Sequence, residues 1–77
     1  RSLGGPIQLV TAIPDAVPPR AILSLPGGNE IVVKPGQMVP EVGLVVLSIE
    51  AGRVEISRVE SVGDRATVHN EVLLAPQ

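Results

Sequence analysis

Few residues in this chain could carry chemistry. The only histidine is His69, beside Asn70 and Glu71, and it falls one position off the apolar alternation around it. A lone imidazole without a patterned partner is a weak base candidate, and the position reads as a solvated strand residue. Ser24, Ser48, Ser57 and Ser61 have no base at a fixed spacing. A Ser-His-Asp site would have to be assembled entirely by the fold. There is no HExxH motif, no second histidine and no cysteine, so the usual zinc ligand sets and a thiol nucleophile are absent. Pro26-Gly27-Gly28-Asn29 is glycine-rich, but a phosphate cradle needs a following helix N-terminus with an added Lys or Thr. Here the motif lies between two β-patterned stretches and reads as a hairpin turn. Asp15, Glu30, Glu41, Glu50, Glu55, Glu60, Asp64 and Glu71 are spread singly, with no calcium-loop spacing. No catalytic residue, cofactor or metal site is expected.

The elements that must position these residues are short. Gly and Pro make 8 residues each of 77 and are dispersed along the chain. The longest stretch free of both is Asp64 to Ala75. Each internal proline costs a helix about 3 kcal/mol, while Val, Ile and Thr favour strands. The expectation is an all-β chain: a small β-sandwich or barrel of two antiparallel sheets with about six short strands. Residues 1–19 read as a flexible lead-in (Arg1 to Pro6), a possible first strand over 7–13 and a Pro-rich connector, Pro14 to Pro19. Residues 20–77 read as the β core of a single domain.

In the first strand, Ile7, Leu9, Thr11 and Ile13 alternate with Gln8, Val10 and Ala12. Arg20 to Leu25 points Ala21, Leu23 and Leu25 one way and Arg20, Ile22 and Ser24 the other. The Pro26–Asn29 turn returns it through Glu30 to Lys34, with Ile31 and Val33 inward, as a hairpin. Met38 to Val42 is irregular, broken by Pro40. Gly43 to Glu50 is the most hydrophobic strand, with Val45, Leu47 and Ile49 on one face and Leu44 and Val46 on the other. Ala51-Gly52 turns it into Arg53 to Val59, with Val54 and Ile56 inward. Arg65 to Leu74 is compatible with either a helix or a strand, and Thr67 and Val68 tilt it to strand. As a strand it groups Ala66, Val68, Val72 and Leu74 on one face.

Composition excludes several functions. The net charge is −2 with basic residues scattered singly, so there is no footprint for a phosphate backbone. Aromatic residues are absent, which removes the stacking platform used on single strands. Apolar runs reach only four residues, as in Leu44 to Leu47, far below a membrane span. The chain begins Arg-Ser rather than Met and reads as a piece of a longer protein, whose anchoring or targeting segments would lie elsewhere.

A binding module is the class left. A free sheet edge can accept another strand by main-chain hydrogen bonding. The candidate edges are the first and second strands, with Gln8, Val10, Ala12, Arg20, Ile22 and Ser24 as the partner-facing residues.

The stretch Ala21 to Ile56 reads AILSLPGGNEIVVKPGQMVPEVGLVVLSIEAGRVEI. It resembles the periplasmic domain of the type IV pilus biogenesis protein PilP family, in its type IVb or plasmid-pilus branch. It is similar also to the homology region of the type II secretion C protein. Gly36 matches the glycine after the family's strand. Gly43, Val46 and Ile49 match its G-x-x-V-x-x-I step, and Val54 and Ile56 its closing strand. Gln37 departs from the acidic residue that often follows the glycine. The resemblance implies a non-enzymatic β-sandwich in the periplasm, held to the bacterial inner membrane through a segment absent from this chain. It implies docking onto the N-terminal periplasmic domain of the outer-membrane secretin, alongside other inner-membrane pilus assembly proteins; that no nucleic acid is a partner is the expectation from charge and composition. Two other readings remain open: an autonomous structural β-domain, such as an oligomer or capsid accessory, and a domain cut from an enzyme.

Overall fold

The computed structural model describes residues 7–76. Seven strands follow one another: β1 (Gln8–Ile13), β2 (Arg20–Ser24), β3 (Glu30–Val33), β4 (Met38–Val39), β5 (Leu44–Glu50), β6 (Arg53–Val62) and β7 (Arg65–Leu74). One 3-10 turn, Pro40–Val42, separates β4 from β5. All pairings are antiparallel. They form a three-stranded sheet, β1-β2-β3, and a four-stranded sheet, β4-β5-β6-β7. The two-sheet, all-β expectation holds, and Arg65–Leu74 is a strand. The seventh strand is the short β4, which Pro40 ends after two residues.

Glycine makes the tight connections. Gly27, Gly28, Gly36, Gly43, Gly52 and Gly63 all have positive φ, and no other described residue type does. At the β5–β6 turn Gly52 sits at φ +70°, a conformation that costs a residue with a Cβ and is free for glycine.

Among the described residues the buried side chains are all aliphatic: Ile7, Leu9, Ala21, Leu23, Leu25, Val33, Val39, Leu44, Val46, Ile49, Val54 and Ile56. They form one cluster drawn from both sheets. Each such leucine, isoleucine or valine contributes about 1.5–3 kcal/mol of burial.

Two β-bulges change which residues enter that core. The register of β1 against β2 shifts between Leu9 and Thr11. One extra residue reverses the two-residue alternation. Leu9 is buried, but Thr11 and Ile13 then turn outward and Ala12 packs against the core. The expected face Ile7-Leu9-Thr11-Ile13 is therefore split at Val10. The same happens in β5, where the register against β6 shifts between Val46 and Ser48. The buried set is Leu44, Val46 and Ile49, while Leu47 is exposed; the expected Val45-Leu47-Ile49 face does not exist.

The packed core also begins earlier than residue 20. Ile7 and Leu9 are buried in it, so the possible first strand over 7–13 is present as β1 and packs with the strands that follow. The flexible reading of Arg1 to Pro6 lies outside the described residues.

The β6–β7 hairpin is longer than its sequence suggests. The two strands pair continuously from Arg53↔Leu74 to Val62↔Arg65. Every residue from Val59 to Asn70 is exposed. The distal half of the hairpin is thus an arm that leaves the core, and the molecule measures 41 × 24 × 18 Å.

Candidate docking edges

Among the described residues, β1, β3, β4 and β7 are the outer strands of their sheets. β4 is only two residues long, which limits what it can pair with. β1 and β7 are the edges with substantial exposed backbone near each other.

The six expected partner-facing residues are not brought together on one edge. Arg20, Ile22 and Ser24 lie on β2, the central strand of its sheet, paired with β1 on one side and β3 on the other. Leu25 N–H donates to the Asn29 carbonyl at 2.7 Å. By alternation this directs the main chain of Leu23 and Ala21 to β3, and that of Arg20, Ile22 and Ser24 to β1. β2 has no main-chain group left for a partner, and the expectation that it offers an edge is corrected. Only side chains of Ile22 and Ser24, both half-buried, and of exposed Arg20 reach its surface.

Gln8, Val10 and Ala12 lie on β1, which is paired on one side only. Gln8 and Val10 are exposed, whereas Ala12 packs against the core as a consequence of the bulge. Its main chain has the opposite significance. Thr11 and Ile13 face Ile22 and Arg20, whose hydrogen bonds run to β1, so the N–H and C=O of Ala12 between them point to the open edge.

β7 was not among the expected edges. The turn Gly63-Asp64 closes between Val62 and Arg65, and Ala75 N–H donates to the Gly52 carbonyl at 3.0 Å. Both set the phase of the ladder. Arg65, Thr67, His69, Glu71 and Leu73 bond to β6. Ala66, Val68, Asn70, Val72 and Leu74 hold their N–H and C=O toward the open edge. Those same residues put their side chains on the outward face, where Val68 is 65% and Leu74 71% exposed. The apolar row expected on this strand exists, but solvent and not the core lies beside it. The inward row contributes only Leu73 to the core.

β1 and β7 approach each other at one end. A groove of about 400 Å³ runs between them, lined by Ile7, Gln8 and Leu9 on one wall and by Val72, Leu73, Leu74 and Pro76 on the other. A second, more polar recess of about 280 Å³ is lined by Pro18, Arg20, Val32, Val33, Lys34 and Gln37.

The charged groups of β7 sit where the arm leaves the core. Arg58 Nη1 lies 3.4 Å from Glu71 Oε1, a long contact for a hydrogen bond. His69 Nε2 lies 3.9 Å from the same oxygen. Each of these side chains is about a third or more exposed, so each pair contributes less than about 1 kcal/mol. Arg58 Nε is buried without a hydrogen-bond partner. The His69 imidazole faces the Glu71 carboxylate. Among the described residues no three His, Cys, Asp or Glu side chains cluster as a metal site, and no helix is long and apolar enough to cross a membrane.

Comparison with protein-family models, with curated proteins and with solved structures found no match.

Proposed function

We propose that this chain is a non-enzymatic protein-docking module, an adaptor of the type IV pilus or type II secretion kind that binds the N-terminal periplasmic domain of a secretin. In this reading it works in the periplasm, held at the bacterial inner membrane beside other pilus assembly proteins. Two things support it. One is the likeness of Ala21 to Ile56 to the PilP family, whose matched positions are turn glycines (Gly36, Gly43) and core residues (Val46, Ile49, Val54, Ile56) here. The observation that carries it is the edge of β1, a strand paired on one side, with Gln8 and Val10 exposed and the main chain of Ala12 turned outward. Such an edge takes a partner strand through backbone hydrogen bonds and selects it through alternate side chains.

Titration of the ¹⁵N-labelled chain with a secretin N-terminal domain tests this reading. Amide shifts concentrated on Gln8 to Ile13 are expected. Ala12→Pro removes an outward donor without breaking the β1–β2 ladder, so it should leave the fold intact and abolish the shifts. The absence of shifts at high micromolar partner, or undiminished binding by a folded Ala12→Pro variant, overturns it.

A further inference from the structure

We infer that β7 is a self-association edge: two copies of this chain pair β7 against β7 antiparallel about a twofold axis at Asn70, joining their four-stranded sheets into one. This inference is independent of the docking role given to β1.

Three observations converge on that occupant and that register. The first is the edge itself. Natural sheets protect exposed edges with Pro, charged side chains (above all Lys), bulges or short length. β7 is ten residues long, pairs with β6 without a register shift, contains no Pro, Gly or Lys, and carries its charged residues Arg65 and Glu71 only at positions bonded to β6. Its five outward-bonding residues, Ala66, Val68, Asn70, Val72 and Leu74, are spaced to match an antiparallel copy of themselves. With the axis at Asn70, Val68 pairs with the second copy's Val72, Ala66 with its Leu74, and Asn70 with its Asn70. Each is a pair in which both residues point N–H and C=O across the new ladder, as an antiparallel strand pair requires.

The second observation is the pairing of polar groups. In this register His69, whose imidazole carries an N–H donor, stands opposite the second copy's Glu71 carboxylate, an acceptor, and Glu71 opposite its His69. These are non-hydrogen-bonded positions, where facing side chains come closest. Moving the axis to residue 69 sets His69 against His69 and removes that complementarity. Moving it to residue 68 faces Arg65 with Glu71, but leaves Val72 to Leu74 unpaired.

The third is the groove between β1 and β7. Thr67 of the second copy stands opposite Leu73 and shares its inward face. It therefore projects toward the groove walled by Ile7 and Leu9 on one side and Leu73 on the other. Thr67 is small enough for the narrow entrance between two sheets, while Ala66 and Val68 beside it turn their side chains to the outward face. The axis at residue 68 would leave that groove empty.

The chain has no cysteine, so single introduced thiols report the register. Sedimentation velocity over a concentration series should show a species of about twice 8.0 kDa forming at high micromolar protein. Asn70→Cys should be captured as a dimer by a short bifunctional maleimide, and Val68→Cys should not, because its two thiols stand four residues out of register. Val68→Pro deletes an outward N–H and spares the β6 ladder. It should weaken the dimer by roughly tenfold or more, with the β-sheet circular dichroism unchanged. A chain that stays monomeric into the millimolar range overturns the inference. So does preferential capture of Val68→Cys, or a folded Val68→Pro variant that dimerises as before.

Discussion

Val59 N–H donates to the Gly43 carbonyl at 2.8 Å, and a Cβ placed on Gly43 would lie 2.8 Å from the Val59 carbonyl oxygen. The two residues close the start of the β5–β6 ladder with their backbones in contact. Gly43 also holds φ at +64°. Gly52 has nearly the same φ, +70°, with open space around it. Gly43→Ala is therefore expected to destabilise by about 2–3 kcal/mol and Gly52→Ala by about 1 kcal/mol. Urea denaturation of the two variants checks the difference, and equal losses would show that the Val59 carbonyl yields without cost.

Leu23 is fully buried between the sheets. Leu23→Ala should cost about 2–5 kcal/mol, the transfer energy of the lost carbons plus the cavity they leave. Total stability is only about 5–15 kcal/mol for ordinary domains, and small ones have little to spare. The urea midpoint should fall sharply, with the slope of the transition unchanged.

Val68 is 65% exposed on the outward face of β7. Val68→Thr keeps the β-branch and should change monomer stability by less than about 0.5 kcal/mol. Denaturation at low protein concentration, where only the monomer is present, makes the measurement. A loss of several kcal/mol would mean that this face is packed.

Arg58 combines a half-exposed ion pair to Glu71 with a buried Nε that has no partner. The pair contributes little, and the unpaired donor opposes it. Arg58→Met retains the aliphatic stem and is expected to be neutral or stabilising by up to about 1 kcal/mol. A clearly destabilised variant would show that the Glu71 contact outweighs the orphaned nitrogen.

Among the described residues no other element packs on the distal hairpin, whose residues from Val59 to Asn70 are exposed, and a two-stranded ribbon alone is marginal in water. Amides of Glu60, Val62 and Thr67 should exchange with solvent by local opening, well before those of Val54 and Ile56 in the core. Protection that is uniform along β6 would contradict this.

Much of the strand pattern was legible because it is local. Ala21, Leu23, Leu25 and Val33, and Val54 and Ile56, occupy the buried face that simple alternation assigns them. Alternation failed at Val10 and Leu47, since a bulge is defined by the partner strand and leaves no mark in the bulged segment alone. The candidate edges fared less well. β1 is open and β2 is not, and β7 is a further open edge whose lack of Pro, Gly and Lys is visible in the residues from Arg65 to Leu74.

The sequence by itself determined that this chain is all-β, that its turns fall at glycines, and that its core is aliphatic. Those properties follow from backbone sterics and side-chain hydrophobicity, which each residue carries with it. Only the tertiary structure decided which strand edges stay open and which apolar faces meet solvent. Sheet order and ladder phase arise from pairings between distant segments: β2 is enclosed because β1 and β3 both reach it, and Val68 is exposed because, among the described residues, no sheet lies over the outward face of β7.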